Sequence, residues 1–127
     1  APLTYGSKIG VLHGAMQYVN QDKMGQIEET ESISAGLDYP GVSPIHCFLK
    51  DTKRARYTAA TDEEALNAYQ LVTKYENLNP SLEPSHAFAE AIKISPKLNK
   101  DTVVCVNSCG DARKDRDILK KRLGIKI

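Results

Sequence analysis

The stretch Thr102-Val103-Val104-Cys105-Val106, followed by Asn107-Ser108-Cys109-Gly110-Asp111, decides the predicted fold class. Its first part is a short, nearly continuous apolar run, which is typical of a buried parallel strand. Its second part predicts a turn, because Gly, Asp and Ser favour turns. A polar helix is expected next, and its inner side would be formed by Ile118, Leu119 and Leu123. This part of the chain therefore predicts a strand, a turn and a helix.

Two helices are expected upstream of that strand. Thr61–Glu64 has the pattern of a capping box, in which the first and last side chains each bond the other residue's backbone amide. A second helix is expected to begin at Pro84, a residue suited to a first helical turn, and to end at Pro96. The apolar faces of the two helices would be formed by Ala65, Leu66, Tyr69 and Val72 and by Ala87, Phe88, Ala91 and Ile92. With a short strand at Arg56–Ala60, this order predicts one α/β domain over residues 1–127, with short parallel strands, flanking helices and a right-handed crossover.

The N-terminal part of the chain predicts further strands and a loop. Apolar residues alternate with other residues in parts of Lys8–Asn20, as at Ile9 and Val11, which predicts one or two strands that pair at an edge or in another subdomain. Ser32–Val42 is rich in Gly, Ser and Pro but also contains apolar residues, so a partly buried loop is expected. Residues 43–50 predict a short helical turn.

Composition and charge narrow the class of protein. The chain has 127 residues, of which 41% are apolar and 26% are charged, as in ordinary globular domains. The formal net charge of +1 provides no strong field for nucleic acid or an anionic membrane. No run approaches the ~18 to 20 apolar residues that cross a bilayer. Neither nucleic acid nor a membrane is therefore expected as a partner.

The cysteines and the first residues of the chain indicate the cellular compartment in which the protein is expected. The three cysteines, Cys47, Cys105 and Cys109, lack the spacing of a disulfide framework, which indicates a reducing compartment. Cys105 is expected to be a small core residue, because it lies in the apolar run. Ala1–Tyr5 does not begin a secretory signal, so a cytoplasmic location is expected. The absence of an initiator Met predicts a processed chain or a piece of a longer one.

Three polar residues are candidates for ligand binding. In open α/β sheets, ligands bind beyond the carboxyl ends of strands and near helix N-termini. This rule selects Ser108, after the apolar run, and Glu83, at a helix start, while Asp38 in the Gly-rich loop is a third candidate. Each also has a structural interpretation that the pattern leaves open. Glu83 can stabilise a helix N-terminus electrostatically, Ser108 can cap a turn, and Asp38 can form one.

Three parts of the sequence together resemble the tryptophan synthase β family. They are Gly25–Glu29 with Ser32–Val42, Tyr57–Ala65, and Pro80–Ala87. The string Ser32-Ile33-Ser34-Ala35-Gly36-Leu37-Asp38 is long and specific, and the resemblance extends from about Gly10 to about Leu119. It implies the C-terminal third of a fold-type II enzyme that depends on pyridoxal phosphate (PLP). That family joins L-serine and indole to give L-tryptophan.

The resemblance implies a role for each of the three candidates. Ser108 would hydrogen-bond the pyridine nitrogen of PLP, where a neutral hydroxyl favours β-replacement over competing chemistry. Glu83 would lie over the cofactor, where a carboxylate can assist proton movements. Asp38 would contact the serine hydroxyl or switch a salt bridge that closes the site.

The resemblance also implies further sites and partners. The backbone carbonyls near Tyr39 and Gly41 would bind a monovalent cation. Leu12 and His13 would line a tunnel for indole. The expected partners are a second β chain in a homodimer, and a tryptophan synthase α subunit or fused α domain that supplies indole.

Two departures from the family pattern affect the expected activity. The family's Ser-Gly-Arg-Gly-Asp-Lys-Asp corresponds here to Ser108–Asp115, which is one residue longer. The lysine that holds PLP and the Gly-rich phosphate loop precede this part of the family's chain and are absent from the sequence. The chain alone is therefore expected to be inactive. The alternative is a stand-alone, non-catalytic module that uses the same fold for binding or assembly.

Overall fold

The computed structural model describes residues 1–125. In chain order, the strands are β1 (Lys8–Leu12) and β2 (Ala15–Val19), and the helices are α1 (Pro44–Asp51), α2 (Asp62–Glu76), α3 (Leu82–Ile94) and α4 (Arg116–Leu123). Short 3-10 helices occupy Ala35–Leu37, Ser95–Lys97 and Ala112–Asp115. The chain forms two compact units: residues 1–31 with 38–59, and residues 32–37 with the chain from 60 onward. No helix within residues 1–125 combines the length and apolar character needed to span a bilayer.

The first unit is built on an antiparallel hairpin of β1 and β2, which confirms the strands predicted within residues 8–20. Leu12 pairs with Ala15 across the turn. The turn residues His13 and Gly14 have φ of 49° and 79°. Positive φ at both central positions is the property of a type I′ turn, whose twist matches that of a hairpin. The two strands of the sheet are therefore joined by a turn that the local sequence itself favours.

The end of the predicted loop Ser32–Val42 is hydrogen-bonded to this hairpin. Val19 forms an isolated antiparallel bridge with Gly41, and the Asn20 amide donates to the Pro40 carbonyl at 2.8 Å. The helix α1 follows, as predicted for residues 43–50, and the Ser43 hydroxyl accepts a hydrogen bond from the Ile45 amide at 3.3 Å.

The second unit has its core between α2, α3 and the C-terminal segment. The predicted capping box is present, because the Thr61 hydroxyl accepts from the Glu64 amide at 3.3 Å and the Thr61 amide donates to the Glu64 carboxylate at 2.8 Å. The predicted inner face of α2 is confirmed, since Ala65, Leu66, Tyr69 and Val72 are buried. The core cluster consists of Leu66, Tyr69, Leu82, Ala112 and Leu119, with Ile118 and Leu123 packed against it.

The buried face of α3 differs from the predicted one. The helix begins at Leu82 rather than at Pro84, and its buried residues are Leu82, Pro84, Ser85 and Ala89. Ala87 and Ile92 are exposed, and Phe88 and Ala91 are only half-buried. Ser85 can be buried because its hydroxyl donates to the Ser81 carbonyl at 2.8 Å. An apolar pattern cannot reveal such a satisfied polar residue.

The two strands predicted after the N-terminal hairpin are not formed. Arg56–Ala60 and Thr102–Val106 are irregular, and Val103 is 84% exposed. Cys105 is also exposed, so its prediction as a core residue was wrong. A strand requires a neighbour for its backbone hydrogen bonds. The only sheet within residues 1–125 is the hairpin of β1 and β2, so the parallel strands and their crossover are absent there, while the coarser α/β assignment is confirmed.

Candidate functional site

The site begins with the first turn of α3. Ser81 precedes the helix in an extended conformation and forms no side-chain cap. The Asp115 carboxylate instead accepts a hydrogen bond from the Leu82 amide at 2.8 Å, although 33 residues separate the two. Asp115 is 4% exposed. A distant carboxylate thus satisfies one of the free amides of this helix start and stabilises it electrostatically.

Glu83 lies in the same turn and is held from two other segments. The Gly36 amide donates to its Oε1 at 3.0 Å. The Lys114 Nζ lies 2.8 Å from Oε1 and 2.7 Å from Oε2. A Cβ at position 36 would lie 2.6 Å from Glu83 Oε1, so Gly36 allows an approach that a larger residue would block. The carboxylate is therefore fixed by contacts that are remote in sequence.

These contacts set the charge of Glu83, whose side chain is 19% exposed. Burial alone would raise the pKa of the carboxyl group. The Lys114 ammonium, the Glu83 amide and the nearby Ser34 and Ser81 hydroxyls together outweigh burial and lower the pKa to about 2. Glu83 is accordingly an anion at neutral pH. It can accept a hydrogen bond or stabilise positive charge without first losing a proton.

The loop that carries Ser108 is attached to the start of α3. The Ser81 amide donates to the Gly110 carbonyl at 2.9 Å, and the Ala112 amide donates to the Asn79 carbonyl at 2.9 Å. Pro80 and Asp111 form an isolated antiparallel bridge between these hydrogen bonds. The longer loop predicted from the sequence is therefore anchored after Ser108, next to the turn that contains Glu83.

Ser108 itself is exposed in irregular backbone, two residues before Gly110. It follows Thr102–Val106, as predicted, although that segment is not a strand. The structure thus places Ser108 and Glu83 in one unit, on segments joined by backbone hydrogen bonds.

The other predicted site residues lie in the first unit. Asp38 is exposed, directly after the 3-10 helix. The Tyr39 hydroxyl and His13 Nδ1 are hydrogen-bonded at 2.6 Å, and Gly41 is buried beside Val19. Leu12 is half-buried at the end of β1.

The predicted cation site at Tyr39 and Gly41 involves only backbone carbonyls. Within residues 1–125, no three His, Cys, Asp or Glu side chains converge on a metal position. That finding concerns side-chain ligands, so the carbonyl site stays a prediction, as does the indole tunnel.

Sequence reasoning missed Gly36, Lys114 and Asp115 as parts of the site. Gly36 lies in the specific string Ser32–Asp38, and a glycine there was the one available signal of a close approach. Lys114 and Asp115 belong to the lengthened segment Ser108–Asp115, and the sequence analysis assigned neither a role. Their importance comes from contacts with residues about 30 positions earlier, which spacing cannot show.

The described residues form an α/β segment in which the anionic Glu83 carboxylate, at a helix start, lies on a segment joined to the loop of Ser108 by backbone hydrogen bonds. Comparison with known proteins shows which proteins this segment resembles. The chain is 50% identical over 120 residues to the tryptophan synthase beta chain of Bordetella petrii, a match of 94% of this chain and 30% of the relative. It is 51% identical over 125 residues to the tryptophan synthase beta chain of Allorhizobium ampelinum, again 30% of the relative and 98% of this chain.

These matches identify the chain as a relative of tryptophan synthase beta chains over nearly its whole length. The chain spans about 30% of the length of the curated relatives it matches. No protein-family model matches the chain.

Proposed function

We propose that the chain acts as part of a tryptophan synthase β enzyme, a PLP-dependent lyase of fold type II that joins L-serine and indole to give L-tryptophan. The match to the named relatives gives the reaction class. The observation that carries the assignment of the site is the anion of Glu83, held by Gly36 and Lys114 beside the loop of Ser108. In this proposal the chain is the C-terminal third of the enzyme and is inactive alone.

The residues present fit one side of a PLP site. PLP supplies an electron sink for carbanion chemistry. Ser108 is exposed and would donate or accept a hydrogen bond at the ring nitrogen. Glu83 would face the cofactor near its phenolic oxygen. The covalent lysine and the phosphate-binding loop would come from outside the present sequence.

Glu83 would act as an electrostatic and hydrogen-bond partner during the reaction. Because its pKa is lowered to about 2, it is ionised at every pH at which the enzyme would work. A carboxylate with so low a pKa is a weak base, so Glu83 would assist proton movements as a fixed anion that accepts hydrogen bonds and stabilises positive charge. Asp38 would contact the hydroxyl group of the substrate serine, or close the site through a salt bridge.

The remaining roles follow from the same family. Tyr39 and Gly41 would offer carbonyl oxygens to a monovalent cation, and Leu12 and His13 would line the path of indole. The partners would be a second β chain and an α subunit or fused α domain. The enzyme would work in the cytoplasm.

The test is an assay of L-tryptophan formation from L-serine and indole by the intact protein that carries this chain, with PLP present. We expect activity in the intact protein and none in residues 1–127 alone. An intact, folded protein that binds PLP but forms no L-tryptophan would contradict the assigned reaction. A natural chain of only this length, folded and inactive, would favour the non-catalytic module.

A further inference from the structure

A chain of contacts links Lys114 to both acidic residues at the start of α3. Its Nζ lies within 2.8 Å of both oxygens of Glu83 and 2.9 Å from Asp115 Oδ1. The other oxygen of Asp115 accepts the hydrogen bond from the Leu82 amide at 2.8 Å. One ammonium group thus lies between a buried carboxylate that caps the helix and a carboxylate assigned to the active site.

The fold determines the backbone position of Lys114, whose side chain is 48% exposed. Asp115 is bound to the backbone of α3, and Ala112, at the other end of the same 3-10 helix, is completely buried in the core. The short 3-10 helix Ala112–Asp115 therefore presents Lys114 from a fixed backbone. Lysine side chains are long and lose much rotamer entropy when they are held, so fixing the backbone reduces the cost of an ordered ion pair.

The surroundings of Glu83 explain why a cation is needed there. Burial disfavours the charged carboxylate, and the nearby uncharged donors are the Gly36 amide and the hydroxyls of Ser34 and Ser81. On its own helix, the titratable group one turn later is His86, whose Nδ1 bonds the Leu82 carbonyl at 2.7 Å. That ring nitrogen is engaged with the backbone, whereas Lys114 contacts the carboxylate directly.

We infer that Lys114, fixed to the start of α3 through Asp115, is a positioning residue that holds the Glu83 carboxylate ionised and in one orientation. The inference deepens the proposed function and rests on it, because Glu83 is the residue assigned to the cofactor. It assigns a role to Lys114 and Asp115, the last residues of the lengthened segment Ser108–Asp115. Their role is to set the charge of the carboxylate, and they need not touch the substrate.

The consequence concerns proton transfer. While Lys114 is bound, Glu83 accepts hydrogen bonds but is a poor proton donor. Removing the ammonium group would leave a buried carboxylate without its strongest partner, and an opposite charge at this distance lowers a carboxyl pKa by about 1 to 3. Lys114 would therefore decide whether Glu83 acts as a fixed anion or as a group that exchanges protons.

The experiment is an NMR titration of the Glu83 side-chain carboxyl carbon in the intact protein, assigned by its loss in Glu83→Gln. The variants are Lys114→Met, which keeps the chain length without the charge, and Lys114→Arg, which keeps the charge. The matched control is Lys93→Met, which removes another lysine that pairs with a glutamate, since the Lys93 Nζ lies 2.8 Å from the Glu64 carboxylate.

In the wild type and in Lys93→Met, Glu83 should stay ionised as the pH falls to roughly 4, the ordinary range of a glutamate. In Lys114→Met its acid dissociation constant should fall by about tenfold or more, and in Lys114→Arg it should recover most of this loss. An unchanged titration in Lys114→Met would overturn the inference. Equal effects of Lys93→Met and Lys114→Met would also overturn it.

A second measurement tests the inference if the Lys114→Met variant does not fold. In the unaltered protein, the Lys114 ammonium protons should exchange slowly with water, because they are held by two carboxylates. Fast exchange at Lys114 would overturn the inference without any variant. Both readouts are independent of catalysis, so an inactive protein with the expected titration would contradict the proposed function and leave the role of Lys114 supported.

Discussion

The starts of α2 and α3 can be compared directly, because each carries a glutamate paired with a lysine. At α2, Glu64 is used by the capping box with Thr61 and by Lys93, and its side chain is 39% exposed. At α3, Asp115 satisfies the helix amide, while Glu83 is held by Lys114 and by the Gly36 amide.

This difference separates Glu64, a structural carboxylate, from Glu83, a candidate functional one. The pKa of Glu64 is lowered first by its hydrogen bond with Lys93 and then by the Thr61 amide, so both influences belong to the helix framework. Glu83 is more buried, and its partners Gly36 and Lys114 lie on segments remote from it in sequence. The helix start at α3 has another residue as its cap, which leaves Glu83 available for chemistry.

The largest effect on stability is expected for Asp115→Ala. The change removes a buried acceptor and leaves the Leu82 amide and Lys114 without this partner. The buried amide left unsatisfied costs about 1 to 3 kcal/mol, and the lost electrostatic stabilisation of the helix start adds to this cost. Urea denaturation of the intact protein measures the change in the free energy of unfolding. A loss below about 1 kcal/mol, the usual worth of a single cap, would contradict the assigned importance of Asp115.

A smaller loss is expected for Gly36→Ala. The added Cβ would lie 2.6 Å from Glu83 Oε1, so either the loop or the carboxylate must move. Because Gly36 is exposed, the carboxylate can move away, and the cost is mainly its charged hydrogen bond with the Gly36 amide, about 1.5 kcal/mol. The shorter side chain of Glu83→Asp should relieve part of this loss in the double variant. Strict additivity of the two changes would show that Gly36 and Glu83 do not interact.

A still smaller loss in the free energy of unfolding is expected for Thr61→Ala at the start of α2. The change removes the hydroxyl that accepts from the Glu64 amide, and loss of such a cap costs about 1 kcal/mol. Thermal unfolding should show this loss with no change in L-tryptophan formation once the protein is folded. A large fall in the rate would mean that the start of α2 also belongs to the site.

The pH dependence of stability should differ between the wild type and Glu83→Gln. The pKa of Glu83 is lowered to about 2 in the folded chain, from 4.5 ordinarily. Its contribution to stability is therefore fully present above that ordinary value and is lost as the pH falls towards about 2. Unfolding free energies measured over this range should fall less steeply in Glu83→Gln. Parallel curves would indicate an unperturbed carboxyl group.

The sequence predicted features that depend on near neighbours. The capping box of Thr61, the inner face of α2 and the hairpin each require contacts with residues close in the chain. Thr102–Val106 has the composition of a buried strand but is exposed, because a strand depends on a neighbour that the apolar pattern does not specify. The hairpin carries its partner strand just across the turn at His13, and that is why it forms.

The arrangement of the candidate site could be predicted only in part. Glu83 and Ser108 were selected by their places at a helix start and after an apolar run, and the structure joins their segments by hydrogen bonds. Lys114 and Asp115 could not be selected, because their contacts cross about 30 residues and arise only when the core around Leu82 is assembled.

The most direct test of the distinction between the two glutamates compares Glu83→Gln with Glu64→Gln in the intact protein, each at equal folded and PLP-bound concentration. The readout is the rate of L-tryptophan formation from L-serine and indole. Glu83→Gln should lower the rate by about 100-fold or more, the usual effect of losing one group that stabilises charge in the transition state, while Glu64→Gln should retain nearly the full rate. Equal rates for the two variants, or a greater loss in Glu64→Gln, would contradict the assignment of Glu83 to the active site.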